Sequence, residues 1–326
     1  MALAYVFPGQ GSQTVGMGRL LSVHSPAAAA VFAQADEALR QNLSRLCWEG
    51  PGQALDLTVN AQPALLASSI ALLRALEGAA DEAGIPRPAP QFYAGHSMGQ
   101  YSAMVASGVL SFGDGLRLVR KRGELMQASA EDGAMAAVIG LPDDKLPDLE
   151  AAGSAHGIFT IANRNSPGQV VVSGERAAVQ AAADAAKGLG AKRAIVLAVS
   201  VAAHSPLMRN AAEGMRAALA DVTFHDPSAA LLANADARPI TTADAARNEL
   251  IEHLTRGVDW VRAVKTMTAA GVDTFVEVGP GKVLTNLIGR IAPDATAFSL
   301  DDPSDPGALN RTLITSPTAA AAPQPA

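Results

Sequence analysis

Phe92-Tyr93-Ala94-Gly95-His96-Ser97-Met98-Gly99 decides how the rest of the chain is read. An apolar, aromatic run leads into a G-x-S-x-G pattern, and small residues follow through Tyr101, Ala103, Met104 and Ala106. The pattern predicts a strand that turns sharply into a helix, with Ser97 at the apex. Such an elbow strains the serine backbone and pushes its hydroxyl out of the sheet. Its glycines remove side chains that would collide with the neighbouring strand and helix. The N–H of Met98 then points to the region near the helix start where an oxyanion would develop. A chance match of three fixed positions is the competing reading, and the strand and helix on either side argue against it.

Outward from the elbow, short apolar runs recur between helical stretches: Leu3 to Phe7, Phe92 to Ala94, Ala194 to Val199, Ala230 to Ala233 and Thr274 to Val278. That rhythm predicts an α/β fold whose mostly parallel sheet is covered by helices. One section departs from it. Strand Met135 to Ile139, helix Asp143 to Ala152, strands Phe159 to Asn163 and Gln169 to Ser173, helix Glu175 to Leu189 and strand Ala194 to Val199 follow in order. This is a β-α-β-β-α-β unit, so a small ferredoxin-like domain is expected over residues 133–199, with Asn165-Ser166-Pro167-Gly168 as its central turn. It interrupts a large domain formed by 1–132 and 200–301. Residues 302–326 are rich in proline, alanine, serine and threonine and read as a flexible tail.

Composition narrows the function. Of the 326 residues 49% are hydrophobic but only 4% aromatic, which predicts a core of aliphatic side chains and closely packed small-residue helices. A net charge of -6 argues against nucleic acid as the main partner. The single cysteine, Cys47, excludes an internal disulfide, fits a reducing compartment and reads as a small buried hydrophobe. Met1 to Phe7 lacks the basic start of a signal peptide, and no long apolar run is free of charges or helix breakers. A cytoplasmic protein with no membrane span is expected.

A serine nucleophile needs a base. His96 is adjacent to Ser97, and consecutive residues in a tight turn point apart, so it is expected to pack or bond locally. His204 follows the run Ala194 to Val199, on a loop leaving a strand end, where a triad histidine or a structural histidine would both fit. Phe7-Pro8-Gly9-Gln10-Gly11-Ser12-Gln13 lacks the third glycine of a dinucleotide loop, Thr14 standing there, and reads as a loop that brings a second oxyanion donor to the elbow. Gly279-Pro280-Gly281-Lys282 lacks Walker spacing and reads as another tight turn.

Arg122 sits in the apolar stripe of a helix from about Asp114 to Gln127, whereas Arg117, Arg120, Lys121 and Glu124 mark its polar face. An inward guanidinium needs a partner. Either it forms a structural salt bridge, or it holds a substrate carboxylate through two parallel hydrogen bonds.

Together these stretches, with Arg122-Gly123, Asn163-Arg164-Asn165-Ser166-Pro167-Gly168-Gln169 and Glu277-Val278-Gly279-Pro280-Gly281-Lys282, resemble the malonyl-CoA:acyl-carrier-protein transacylase family of fatty-acid and polyketide synthesis. The resemblance spans nearly the whole chain apart from the tail. It implies an α/β-hydrolase-like large domain, a ferredoxin-like small domain and an active site in the cleft between them. It makes Ser97 the nucleophile, His204 the base, Arg122 the malonyl clamp and the backbone N–H groups of Gln10 and Met98 the oxyanion donors. It implies malonyl-CoA and the phosphopantetheine form of an acyl carrier protein as partners, with no metal or organic cofactor. Met98, Ala202 and Ala203 are the expected acyl-pocket residues, because positions beside these help set acyl preference in the family.

Two departures stand out. The family usually has glutamate where Gln100 stands, and often glutamine or asparagine where Asp259 stands. The family histidine is oriented from that second region largely through a backbone carbonyl, so Asp259 is either neutral or an added orienting acid for His204. Carrier docking to a net negative enzyme implies a local basic patch, with Arg117, Arg120, Lys121, Lys187, Lys192 and Lys282 as candidates. Two other readings remain: a serine hydrolase such as a thioesterase, and a catalytically idle carrier-docking subunit. Asp143, Asp144 and Asp148 lie between Ser97 and His204, where a hydrolase acid belongs, but inside the expected insert.

Overall fold

The computed structural model describes residues 2–129, 132–197, 199 and 201–300, so the expected tail at 302–326 lies outside the described residues. The described strands are β1 (Leu3–Phe7), β2 (Phe92–Gly95), β3 (Gly133–Ile139), β4 (Phe159–Ser166), β5 (Gln169–Glu175) and β6 (Arg193–Val196), followed by β7 (Ala230–Leu232), β8 (Pro239–Ile240), β9 (Val258–Asp259), β10 (Thr274–Glu277) and β11 (Thr296–Ser299). They form two sheets among many helices, an α/β fold.

The first sheet runs β11-β10-β1-β2-β7-β8 and is parallel except for the β7–β8 pair. Strand β1 explains why it is central. Leu3, Tyr5 and Phe7 enter one apolar core while Ala4 and Val6 enter another on the opposite face. Burial on both faces demands the continuous apolar run that the sequence shows. The 26-residue helix Thr58–Ala83 crosses the larger core and is long and apolar enough to span a bilayer. Here most of it is buried protein interior, and Pro63 is taken into its early turns.

The second sheet runs β6-β3-β5-β4-β9, antiparallel except for β4–β9. Helices Leu146–Ser154 and Arg176–Ala186 join its strands and share a core with Val138, Val170 and Val172. Several boundaries differ from expectation. β4 continues to Ser166, because Arg164 and Ser166 still pair with Val170 and Gln169 across a bulge, so the turn shrinks to Pro167-Gly168. The helix expected from Asp143 begins as the 3-10 turn Asp143–Lys145 and becomes α-helical at Leu146, with proline in its first turn. The strand expected over Ala194 to Val199 is Arg193–Val196, and it belongs to this sheet and not the parallel one. The two-residue strand β9 lies outside the expected unit yet completes its sheet.

Candidate active site

The elbow forms where β2 meets helix Gly99–Ala106. A Cβ on Gly95 would strike the backbone of Gly99, and one on Gly99 would strike the carbonyl of Phe7. Ser97 holds a left-handed φ of 54°, a conformation that costs a non-glycine residue roughly 1–3 kcal/mol and is kept only when its surroundings impose it. Asn234 imposes it: Oδ1 accepts the Ser97 N–H at 2.8 Å and Nδ2 donates to the Gly95 carbonyl at 3.0 Å. Gln100 is fully buried, taking the Gly95 N–H at 3.1 Å and donating to the Leu232 carbonyl at 3.0 Å, so glutamine here is a neutral brace between β2 and β7.

Ser97 Oγ lies 2.8 Å from His204 Nε2. His204 Nδ1 lies 2.7 Å from the His253 carbonyl and 3.0 Å from the Arg256 carbonyl. Two acceptors at Nδ1 require the proton to sit there, which leaves Nε2 as the acceptor for the serine hydroxyl. Burial, and then the nearby Arg122 charge, push the His204 imidazole down to about 4, against the two carbonyls that favour its charged form. At neutral pH the imidazole is uncharged.

Arg122 projects from helix Phe112–Ala128 and is 1% exposed. Gly123 lets this helix close on Thr58–Ala83, since a Cβ there would lie 2.9 Å from Val59 Cα. The approach puts Arg122 Nη1 2.9 Å from Gln62 Oε1, while Nη2 lies 3.1 Å from Ser97 Oγ. Its Nε has no partner, and no carboxylate lies within ion-pair distance of it among the described residues. Burial pushes the guanidinium down only to about 10, so it stays cationic at neutral pH. The salt-bridge reading of Arg122 is thereby replaced by a buried cation facing the nucleophile.

A cavity of about 670 Å³ opens above these groups, lined by Gly9 to Gln13, Ser97, Arg122 and His204 on one side and by Met135, Asn163, Asn165 and Val171 on the other. Its walls hold together a neutral imidazole, a strained serine and a cation with no ion pair among the described residues. A substrate with an acyl carbon beside a carboxylate matches that set.

The model of the family described as "Acyl transferase domain" matches residues 4–296. The chain belongs to this family. The malonyl CoA-acyl carrier protein transacylase of Escherichia coli (strain K12) is 43% identical over 303 residues, covering 92% of this chain and 96% of that protein. An acyl-carrier-protein-S-malonyltransferase structure from Bartonella henselae superposes with a TM-score of 0.90 at 40% identity, covering 96% of this chain and 98% of that one. A type II polyketide acyl-carrier protein in complex with its malonyl-transacylase gives 0.89 at 39% identity, over 96% and 99% of the two chains.

Within this acyl transferase fold some expectations need correction. Asp259 does not orient His204: it caps helix Trp260–Ala269 by accepting the Arg262 N–H at 2.9 Å and lies 3.7 Å from both Arg164 and Arg262. The orienting carbonyls come from His253 and Arg256. Ala202 is fully buried, its carbonyl accepting the Ser205 hydroxyl, whereas Val201 and Ala203 line the cavity. The Met98 side chain belongs to the main core and does not line the cavity. His96 bonds far from its own turn, with Nε2 2.9 Å from Asn165 Oδ1, and packs on Trp260. Of the basic-patch candidates, Arg120 is turned inward to Asn60, and Arg117 and Lys121 sit beside Asp114 and Glu124. Gln62 and Asn234 went unrecognised in the sequence. Asn234 carries one usable signal, its place just beyond the end of β7, where α/β folds put functional side chains.

Proposed function

We propose that the chain transfers a malonyl group from malonyl-CoA to the pantetheine thiol of an acyl carrier protein through a Ser97 acyl-enzyme. The proposed frame is an α/β-hydrolase-like large domain, residues 1–132 and 200–301, with a ferredoxin-like small domain over 133–199. The strand order β6-β3-β5-β4 with two intervening helices supports the second part.

Ser97 Oγ attacks the thioester carbonyl while His204 Nε2 takes its proton. The oxyanion is held by the backbone N–H groups of Gln10 and Met98. The C–S bond breaks and CoA leaves with the proton from His204. The carrier thiol then gives its proton to His204 and attacks the acyl-serine, and the proton returns to Ser97 as its oxygen leaves. Ping-pong kinetics follow. Arg122 holds the malonyl carboxylate throughout and so keeps the reacting carbonyl aligned.

The observation that carries this reading is the buried, cationic, carboxylate-free Arg122 in contact with Ser97 Oγ. A lipid hydrolase has no use for it, and an idle docking subunit has no need of a 2.8 Å serine–histidine contact. Incubation with radiolabelled malonyl-CoA, then digestion, tests the proposal: the label is expected on the Ser97 peptide, is chased by added carrier protein, and is absent from Ser97→Ala. Label retained on that variant overturns the assignment.

A further inference from the structure

Asn234 is held as firmly as it holds the elbow. Its backbone N–H donates to Glu249 Oε1 at 2.7 Å and its carbonyl accepts the Asp259 N–H at 2.7 Å. Glu249 is 2% exposed and belongs to helix Ala243–Glu252. One turn further on, the His253 N–H bonds to the Glu249 carbonyl, and the His253 carbonyl is the acceptor for His204 Nδ1. The carboxylate therefore stands at a fork. One branch runs through Asn234 to the Ser97 backbone, the other through its own helix end to the base.

We infer that Glu249 is a positioning residue for the Ser97–His204 pair, fixing Asn234 and the elbow in register with the helix end that orients the imidazole. The inference rests on Ser97 and His204 being the reacting pair. The bond to Asn234 N–H is strongest when the carboxyl is charged, since charge-assisted hydrogen bonds exceed neutral ones. Small displacements of a nucleophile from its base carry large rate penalties.

The surroundings make this hold titratable near neutrality. Burial pushes the Glu249 carboxyl up to about 7, against the Asn234 N–H and Arg238, with Asp236 and Glu252 adding repulsion. Arg238 Nη2 lies 4.0 Å from Glu249 and is shared with Glu252 at 3.5 Å, while its Nη1 meets Asp236 at 3.5 Å. Arg256 bridges Asp236 and Glu252 at 3.3 and 3.0 Å. His253, next along the chain, is buried and driven strongly towards its neutral form. No other described acid combines such burial with a bond to the elbow's support. As pH falls through neutrality Glu249 takes a proton, its grip on Asn234 weakens, and the dyad loses alignment.

The test is the pH profile of Ser97 labelling by malonyl-CoA and, separately, by a fluorophosphonate. Between about pH 6 and pH 8 the parent rate is expected to rise by roughly three- to tenfold, the scale of weakening one hydrogen bond. Glu249→Gln should give a flat profile over that interval at the lower rate, with KM for malonyl-CoA unchanged. Arg238→Met, at a side chain 38% exposed, should move the step to higher pH by removing the cation that favours the charged carboxyl. A parent without the step, a step that survives in Glu249→Gln, or an unmoved midpoint in Arg238→Met overturns the inference. Ser97→Ala serves as the separate control: labelling that persists there defeats the reading of the pair, whatever the pH profile shows.

Discussion

Arg122 Nη2 lies 3.1 Å from Ser97 Oγ, so the cation and the nucleophile touch before any acyl group arrives. Ser97 Oγ thus accepts from Arg122 and donates to His204 at once. The same charge depresses the histidine. Arg122, Ser97 and His204 form one electrostatic unit, and a change in any of them is expected to register in the others.

The pH dependence of acylation follows from that coupling. Burial and Arg122 hold the His204 imidazole down to about 4, so the base is neutral above that value and protonated below it. Below the step assigned to Glu249, Ser97 labelling by a neutral reagent is expected to fall through a second acidic limb near the same pH. In Arg122→Gln the depressing charge is gone, the imidazole binds its proton more readily, and the limb moves to higher pH. His204→Ala is expected to slow labelling by about two to four orders of magnitude, the usual scale for a positioned base. Labelling rates across pH on these variants check both outcomes.

Asp259→Asn separates a dyad from a triad. With Nδ1 held by two backbone carbonyls, and asparagine as good a helix cap as aspartate, the acylation rate is expected to stay within about twofold of the parent. A triad acid replaced in this way would cost about four orders of magnitude. Single-turnover acylation measures the difference.

The elevated Glu249 carboxyl has a stability consequence opposite in sign to that of a paired acid. Between the unperturbed value of 4.5 and about 7 the folded chain binds a proton that the unfolded chain has lost, so stability falls as pH rises through this window. Glu249→Gln is therefore expected to match the parent below the window and to exceed it at pH 8 by up to about 3 kcal/mol, from the pKa difference. Urea unfolding at both pH values reads this directly. Stability gained with activity lost is the trade expected of a functional strain.

The sequence exposed what is local and concealed what is not. The elbow, β1 and the inward Arg122 were legible because each signal lies within a few neighbouring residues: a glycine pair around Ser97, a continuous apolar run, a charge in an apolar stripe. β9 was not, since Val258–Asp259 pairs with Asn163 and Arg164 almost a hundred residues earlier, and two residues carry no period. The atoms that orient His204 are backbone carbonyls, which every residue possesses, so side-chain chemistry drew attention to Asp259 instead. Ala202 and Ala203 are indistinguishable by type, and only the folded chain decides that Ala203 lines the cavity while Ala202 is buried.

The central claim, that Arg122 reads a substrate carboxylate, is tested most directly by kcat/KM for malonyl-CoA and acetyl-CoA on the parent, Arg122→Ala and Arg122→Lys. Removing the cation is expected to cost malonyl about 2–5 kcal/mol of transition-state stabilisation, the range for breaking a buried charge pair, while acetyl gains relative to malonyl. Lysine should restore only part of the preference, because one ammonium cannot reproduce the guanidinium fork. A malonyl-to-acetyl ratio in Arg122→Ala equal to that of the parent, with the fold intact, would contradict the account and place carboxylate recognition elsewhere.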